Sequence, residues 1–293
     1  MKKIPYFKAS SFDCLTEEMH QAYEKDGVLV LEDMVSIDEC RSLMNRMSEL
    51  VDDFKPSKQK TVFSTITQEQ QSDQYFLESS DNIHFFFEEG AFNSEGDILA
   101  DKSLTINKVG HALHDKDEVF NAFSRQKGFE TIVRGLGMQA PLLMQSMYIF
   151  KQPHIGGEVL CHQDSPYLWT EPASCIGLWI ALEDATLDNG CLWGIAGSHK
   201  EKQPRARLSR TGDYTTTFDV LDDTPWPEDE RVPLEVKAGT LIVLHGQFPH
   251  LSGPNNSDKS RHAYALHLVD GACDYPANNW LQRSASNPAK GFA

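Results

Sequence analysis

The sequence predicts a mainly β protein, in which N-terminal helices cover one face of an antiparallel barrel or sandwich. From residue 141 onward, short apolar runs alternate with turn signals, a series that is typical of all-β folds. The predicted strands span residues 142–150, 175–182, 191–195, 240–244 and 262–269. Asp188-Asn189-Gly190, between the second and third runs, is a strong signal for a tight turn. Helical periodicity prevails before residue 141, so helices are expected to form the cover.

The clearest element near the N-terminus is a helix over about residues 37–54. Ser36 and Glu39 have the spacing of a capping box, in which each side chain accepts from the other residue's backbone N–H. Apolar residues then recur at helical spacing, namely Ile37, Cys40, Leu43, Met44, Met47, Leu50, Val51 and Phe54. Residues 28–31 are all apolar and predict a short buried strand, and residues 16–25 predict a further helix.

The region between residues 55 and 137 is mixed. Residues 55–73, rich in Lys, Gln, Ser and Thr, indicate an exposed loop or lid. Residues 83–87 predict an aromatic strand whose phenylalanines lie in the core, because aromatic side chains are mostly buried. A turn is expected at residues 93–96. Residues 106–110 lead into a helical region that should extend to about residue 137.

The composition excludes several classes of protein. A net charge of −16 opposes binding to nucleic acid and to anionic membranes. The six cysteines form no Cys-x-x-Cys pair, which indicates a reduced intracellular protein. We find no apolar leader segment, no stretch long enough to span a membrane and no Ser-Lys-Leu ending. We therefore expect a cytoplasmic protein that binds neither nucleic acid nor membrane.

A candidate metal site is formed by His162 and Asp164, with His250 as a distant partner. Val159 and Leu160 predict a strand running into this pair, and residues two apart in a strand point to the same side. Two imidazoles and one carboxylate on one face of a metal are the ligand set of non-haem Fe(II) oxygenases, although zinc and manganese accept the same donors.

The His-x-Asp spacing is a weak signal by itself, because roughly one or two such matches arise by chance in a chain of this composition. His199-x-Glu201 is a rival match. It lies in a polar segment without a strand pattern, so its two side chains have no reason to share a face. We interpret that segment as a loop.

Further motifs follow His162 and Asp164 in a fixed order. They are residues 177–186, Asp188-Asn189-Gly190-Cys191-Leu192, Gly197-Ser198-His199-Lys200, His250-x-Ser252, Pro254-Asn255-x-Ser257 and Arg261. With these motifs, residues 16–283 resemble the phytanoyl-CoA dioxygenase family. The resemblance implies a single domain, 1–293, with a helical cover over about residues 1–140 and a double-stranded β-helix (jelly-roll) core over about residues 141–283. Ala196 departs from the proline usual in the family, which affects the stiffness of its loop.

The resemblance also implies a cofactor and a cosubstrate. In the family a His-x-Asp pair and a distal histidine hold Fe(II), which assigns that role to His162, Asp164 and His250. Arg261 matches the arginine that binds the far carboxylate of 2-oxoglutarate, and a planar guanidinium suits that bidentate contact. Ser252 would add a hydroxyl donor. The remaining matches to 2-oxoglutarate contacts are Lys108, Met147 and Trp179, although the last two are also plausible core residues.

The implied activity is hydroxylation of a small carboxylate or acyl-type metabolite, with release of succinate and CO2 from 2-oxoglutarate. Asp164 favours hydroxylation, because related halogenases replace this carboxylate with a small residue. Residues 199–210 carry several basic side chains, which we hypothesise steer an anionic substrate. Phytanoyl-CoA does not follow as the substrate, since sites on one fold diverge widely.

Two other hypotheses for the function remain open. The first is a non-catalytic 2-oxoglutarate or small-molecule binding protein, or sensor, on the same fold. Such a protein is expected to have lost an iron ligand or the arginine, yet all four residues are present. The second is a cupin-like metal enzyme that does not use 2-oxoglutarate and has no need of Arg261. The sequence leaves the oligomeric state undetermined.

Overall fold

A computed structural model describes residues 3–9, 13–56, 61–64, 73–99, 101–200 and 203–292. The strands are β1 (Tyr6–Lys8), β2 (Val28–Glu32), β3 (Ile83–Phe87), β4 (Ile106–His111), β5 (Pro141–Ile149), β6 (Val159–His162), β7 (Ile176–Ala181), β8 (Leu192–Gly194), β9 (Ala206–Gly212), β10 (Thr215–Val220), β11 (Val232–Leu234), β12 (Leu241–His245), β13 (His250–Ser252) and β14 (Ala263–Asp270). The α-helices are α1 (Glu17–Asp26), α2 (Ile37–Asp53), α3 (Gln74–Glu78), α4 (Leu113–Lys116), α5 (Glu118–Ser124) and α6 (Lys127–Gly135).

Two sheets make up the body of the molecule. The large sheet has eight strands in the order β1-β2-β12-β7-β14-β5-β4-β3, and the small sheet has four in the order β11-β8-β13-β6. Strands β9 and β10 form a separate hairpin. Apart from the parallel edge pair β1 and β2, neighbouring strands pair antiparallel. In the middle of the large sheet and throughout the small sheet, the neighbours are not consecutive along the chain. This arrangement confirms the predicted jelly-roll fold.

Alternation along the strands of the large sheet produces two cores. Val28 and Val30 of β2 belong to the inner core, between the sheets, whereas Leu29 and Leu31 belong to the outer core. The outer core also contains the buried face of α2, namely Cys40, Leu43, Met47 and Val51. Each buried leucine contributes about 2 kcal/mol. The helices therefore cover the outer face of the large sheet, as predicted, and leave the space between the sheets for a site.

The ends of the first two helices lie where the sequence predicts them. At the start of α2, Ser36 Oγ accepts from Glu39 N at 3.2 Å and Glu39 Oε2 accepts from Ser36 N at 2.9 Å, so the capping box is confirmed. Helix α1 begins after Thr16, whose side chain accepts from Met19 N. It ends at Gly27, whose φ of 78° suits glycine.

Two regions differ from the prediction, and a third is only partly described. The strand β4 occupies Ile106–His111, so the helical region begins only at Leu113. The hairpin β9–β10 begins inside the basic segment that was expected to be a loop. Of the predicted lid, residues 57–60 and 65–72 lie outside the described residues, while Val62 forms a bridge with Phe87. Within the described ranges we find no helix with the length and apolarity needed to cross a membrane.

Candidate functional site

The three predicted iron ligands come together at one end of the small sheet. His162 ends β6, His250 begins β13, and the two residues are paired across the antiparallel ladder. Asp164 lies beyond the strand, in a turn where its backbone N–H donates to Gly246 O at 2.9 Å. This turn, together with strand alternation, directs Asp164 toward the histidines. Nε2 of each histidine lies 3.8 Å from Asp164 Oδ1.

The donor atoms of this group suit a metal ion. His162 Nδ1 lies 2.8 Å from Leu160 O, and His250 Nδ1 lies 3.0 Å from Phe248 O. Because a carbonyl only accepts, each Nδ1 carries the hydrogen and each Nε2 presents its lone pair to the centre of the group. In the described part of the chain, it is the group whose donors, all within 4.8 Å of one another, could hold a metal. The residues therefore fit the Fe(II) that the sequence predicts.

His267 on β14 contacts the second oxygen of the carboxylate. Its Nε2 lies 3.3 Å from Asp164 Oδ2, and its Nδ1 lies 3.3 Å from Gln145 Nε2. Burial alone would raise the pKa of Asp164, but His267 and His250 outweigh burial and hold that pKa well below its usual value. Burial, reinforced by His250, lowers the pKa of His162 to about 4. At neutral pH the group thus contains an ionised Asp164 carboxylate and a neutral His162 imidazole.

A cavity of about 490 Å³ extends from this group between the two sheets. All eight residues predicted for the site line it: Lys108, Met147, His162, Asp164, Trp179, His250, Ser252 and Arg261. Met147 and Trp179 face the cavity from the inner core, so they serve both as packing and as wall. The volume is that of a small-molecule site.

Arg261 is a buried cation at this cavity. Its side chain is 2% exposed, its Nε donates to Gly190 O at 3.1 Å, and its guanidinium carbon lies 5.3 Å from the centre of the Trp179 ring. Nη1 is buried and has no hydrogen-bond partner. Burial lowers the pKa of Arg261 to about 10, which still leaves the side chain charged at neutral pH. An orphaned donor on a buried cation is the feature expected where an anion binds.

Lys108 is a second buried cation in the wall. Its Nζ lies 3.3 Å from the centre of the Phe63 ring and 3.7 Å from Met147 Sδ, contacts with no full negative charge. Burial lowers the pKa of Lys108 well below its usual value. A bound anion would offset this cost, because it favours the charged amine.

The mouth of the cavity combines apolar and charged side chains. Leu160 and Val220 are 44% and 62% exposed at the opening. The guanidinium carbon of Arg205 lies 3.5 Å from the centre of the Trp226 ring, and its Nε lies 3.8 Å from Asp222 Oδ2. The rim thus presents apolar surface beside one stacked arginine.

The two other arginines of the basic segment serve the structure. Arg207 Nη2 donates to Asn278 Oδ1 at 2.7 Å, and Arg210 Nε donates to Trp280 O at 2.8 Å, which ties the hairpin to the C-terminal segment. His199, of the rival motif, has Nε2 3.2 Å from Glu24 O and lies in a 3-10 helix, while Glu201 lies outside the described residues.

Sequence reasoning missed His267, Gln145 and Lys151. All three line the cavity. His267 and Gln145 are side chains of ordinary apolar strands, and the only signal for them is a polar residue within a run that is otherwise buried. Lys151 lies two residues after the end of β5, and a single lysine after a strand is no signal for a site.

A protein-family model and curated relatives match most of the chain. A family model described as phytanoyl-CoA dioxygenase matches residues 23–263. A protein of Arabidopsis thaliana named phytanoyl-CoA dioxygenase is 48% identical over 271 residues, which cover 92% of this chain and 94% of that protein. A mouse protein named phytanoyl-CoA dioxygenase domain-containing protein 1 is 43% identical over 283 residues, covering 94% of this chain and 97% of that protein.

Solved structures share the fold at low sequence identity. EctD from S. alaskensis, crystallised with 2-oxoglutarate and 5-hydroxyectoine, has a TM-score of 0.62 at 18% identity, covering 94% of this chain and 90% of that chain. The epimerase SnoN, in complex with Fe3+, alpha ketoglutarate and nogalamycin RO, has a TM-score of 0.63 at 15% identity, with 94% and 91% covered. At these low sequence identities, the structural similarity shows a shared fold.

Proposed function

Because the chain belongs to the phytanoyl-CoA dioxygenase family, we propose that it is an Fe(II)- and 2-oxoglutarate-dependent dioxygenase that hydroxylates a small carboxylate or acyl-type metabolite. One atom of O2 enters the hydroxyl group of the product. The other enters succinate, which forms from 2-oxoglutarate with loss of CO2. The proposal is carried by one observation: two imidazole Nε2 atoms and Asp164 Oδ1 converge beside a cavity that contains a buried arginine with an orphaned N–H.

The metal would be held by His162, Asp164 and His250. Bound Fe(II) supplies the redox chemistry that joins O2 to 2-oxoglutarate. The carbonyls of Leu160 and Phe248 fix each histidine as an Nε2 ligand. Three protein ligands on one side leave the cavity side open for small molecules. Related halogenases replace this carboxylate with a small residue so that chloride can bind, and the presence of Asp164 therefore supports hydroxylation over halogenation.

The 2-oxoglutarate dianion would lie with its far carboxylate on Arg261 and Ser252. Fe(II), one Asp carboxylate and a dianion sum to a charge of about −1, so the additional cation Lys108 favours the bound state. Met147 and Trp179 form apolar walls against the carbon chain of the cosubstrate. These walls exclude water from the reacting atoms.

The substrate would enter at the mouth. The exposed Leu160 and Val220 suit an apolar body, and Arg205 suits a carboxylate carried at its edge. Of the three arginines in the basic segment, Arg207 and Arg210 bind the C-terminal segment, whereas Arg205 lines the cavity and is the one we assign to the substrate. Arg205→Leu should then raise KM for an acidic substrate and leave kcat unchanged. An unchanged KM would remove the steering role.

The deciding experiment is anaerobic loading with Fe(II), followed by addition of 2-oxoglutarate and then O2. We expect a weak visible charge-transfer band on addition of 2-oxoglutarate, and succinate on exposure to O2. Asp164→Ala should abolish succinate, and Arg261→Ala should need a much higher concentration of 2-oxoglutarate. His199→Ala serves as the matched control, because it removes the histidine of the rival motif and should keep both signals.

Two outcomes would favour the other readings. A folded, iron-loaded protein that gives neither band nor succinate would point to the non-catalytic binding protein. Oxygen consumption without added 2-oxoglutarate, and insensitive to Arg261→Ala, would point to a metal enzyme that uses a different cosubstrate.

A further inference from the structure

Lys151 is a buried lysine that lines the cavity, two residues after the end of β5. Its side chain is 3% exposed, and its Nζ donates to Ser252 Oγ at 2.9 Å and to Gly157 O at 2.5 Å. In the part of the chain that the structure describes, we find no ion-pair partner for it. Fully buried lysines are rare unless they are paired, because burial of an unpaired charge is costly. Burial of Lys151 therefore has a cost in stability that its two hydrogen bonds offset only in part.

The backbone around Lys151 is built to hold it there. Lys151 has a φ of 43°, a left-handed conformation that side-chain-bearing residues seldom adopt. Its carbonyl accepts from Asn255 Nδ2 at 2.9 Å. A Cβ at Gly190 would lie 2.7 Å from Lys151 Cε, while Gly190 O accepts from Arg261 Nε. The turn glycine thus makes room for one cation and orients the other.

Three acidic residues act on the two basic side chains, namely Glu88 on both, Glu158 on Lys151 and Glu183 on Arg261. The nearby buried acid is Glu88, whose Oε2 already accepts from Asn107 Nδ2 at 2.8 Å and from Gly157 N at 3.2 Å. Burial raises the pKa of Glu88. Burial, with the charge of Arg261, lowers the pKa of Lys151 to about 7. An anion that binds here would relieve the repulsion between the cations.

The hydrogen bond to Ser252 determines where its hydroxyl points. Ser252 Oγ has one hydrogen, and an ammonium group can only donate. Since Lys151 donates to Ser252 Oγ, the hydroxyl hydrogen is directed away from Lys151 and is available to a second acceptor. Ser252 lines the cavity with Arg261, so a carboxylate there could accept from both.

We propose that Lys151 is a positioning residue of the cosubstrate site, which orients the Ser252 hydroxyl toward the far carboxylate and makes the site selective for dicarboxylic 2-oxo acids. This inference rests on the proposed function. It predicts that Lys151 matters for 2-oxoglutarate and does not matter for 2-oxopentanoate, which has the same carbon chain but lacks the far carboxylate.

The test measures binding of both acids by calorimetry, with Mn(II) in place of iron so that no turnover occurs. Relative to wild type, Lys151→Met should weaken 2-oxoglutarate binding about tenfold, or about 1.4 kcal/mol, and change 2-oxopentanoate binding less than twofold. Ser252→Ala should have a similar effect. The double variant, Lys151→Met with Ser252→Ala, should bind 2-oxoglutarate as weakly as whichever single variant binds it less tightly, and no more weakly. This is because the two residues act as one unit.

Lys102→Met is the matched control, since Lys102 Nζ also donates to backbone carbonyls, those of Asp52 and Phe54, but lies outside the cavity. It should bind both acids as wild type does. Thermal midpoints without ligand check the fold of every variant. If Lys151→Met melts well below wild type, Lys151→Leu, which also removes the N–H donor, takes its place with the same loss of selectivity expected.

The outcomes separate this inference from the proposed function. If wild type itself fails to bind 2-oxoglutarate, the proposed function is wrong. If wild type binds and Arg261→Leu does not, the proposed function survives. In that case three results would each overturn the role of Lys151. Lys151→Met could keep wild-type selectivity, it could lose affinity for both acids equally, or the double variant could lose as much binding free energy as the two single variants together.

Discussion

Gly177 sets how closely β7 approaches the metal-binding carboxylate. A Cβ at this position would lie 3.1 Å from Asp164 Oδ2, so the carboxylate would have to shift by a few tenths of an ångström, whereas His267 Cδ2 at 3.4 Å would be in ordinary contact. We expect Gly177→Ala to weaken Mn(II) binding about tenfold while the protein stays folded, because a ligand displaced by such an amount loses its geometry. Electron paramagnetic resonance of free Mn(II) measures the affinity.

Gly128→Ala is the control for this prediction. There an added Cβ meets only the terminal methyl group of Met34, at 2.7 Å, and a flexible side chain can move aside. Wild-type Mn(II) affinity in both variants would show that β7 does not constrain the carboxylate.

His114 makes the stability of the protein depend on pH. It is fully buried, with Nδ1 2.8 Å from Ser146 Oγ, and burial lowers its pKa to about 4 against the opposing effect of Asp115. The unfolded chain takes up this proton at about pH 6.5. The stabilisation is therefore complete above pH 6.5 and is lost as pH falls to 4, by about 3 kcal/mol in all.

Urea denaturation of wild type and His114→Gln across pH 4 to 7 tests this effect. The difference in the free energy of unfolding between the two proteins should shrink as the pH falls, because only wild type loses the contribution of a neutral imidazole. Parallel curves would mean that another group carries the pH dependence.

At the scale of single elements, the capping box of α2 has a measurable share in stability. Ser36→Ala removes the acceptor for Glu39 N and should lower the free energy of unfolding by about 1 kcal/mol in urea denaturation. Ser42→Ala, in the exposed middle of the same helix, is the matched control and should be neutral or slightly stabilising, because alanine favours helix. Equal losses in the two variants would contradict a specific role for the cap.

The hairpin β9–β10 depends on Arg210 for its attachment. Arg210 Nε donates to Trp280 O at 2.8 Å and Nη2 to Leu77 O at 3.4 Å. Arg210→Met should lower the free energy of unfolding by about 1–2 kcal/mol, because these carbonyls lose a charged donor. Arg41→Met, which removes an exposed arginine from α2, should change it by less than 0.5 kcal/mol or so. Comparable losses would show that the hairpin holds without Arg210.

Elements with a local signal were predictable, and elements stabilised from elsewhere were not. Helix α2 carries its own cap and apolar face, and β3 and β14 carry buried apolar runs. The strand β9 begins in a basic segment, because its backbone pairs with β10 while its arginines reach the C-terminal segment. The strand β4 was missed for a similar reason, since Lys108 interrupts its apolar pattern in order to face the cavity.

At the scale of the whole molecule, ligands that bind only the folded state should raise its melting temperature. Mn(II) with 2-oxoglutarate, each at 100 times its dissociation constant, should add about 2.7 kcal/mol per ligand, or about 5 °C or more in the midpoint. Chelation with EDTA should return the midpoint to the metal-free value. Asp164→Ala should show no response to Mn(II), and a full response in that variant would place the metal elsewhere.

Some residues of the candidate site could be predicted from the sequence and others could not, as for the elements of the fold. His162, Asp164, His250 and Arg261 stand in motifs whose order can be recognised along the chain. The roles of His267 and Lys151 exist only once β14 lies beside β5 and β7, and once the Asp188-Asn189-Gly190 turn lies beside the end of β5. Spacing along a chain carries no information about contacts that distant strands create.

The pairing of β6 with β13 also sets when, during synthesis, the protein can acquire its metal. A ribosome releases the chain from the N-terminus, so His162 and Asp164 emerge long before β13 supplies both the partner strand and His250. Until then the nascent chain has an incomplete set of ligands and an unpaired strand. The metal can therefore meet its complete set of three ligands only after β13 has been made, so a chain that ends before His250 would lack one of them.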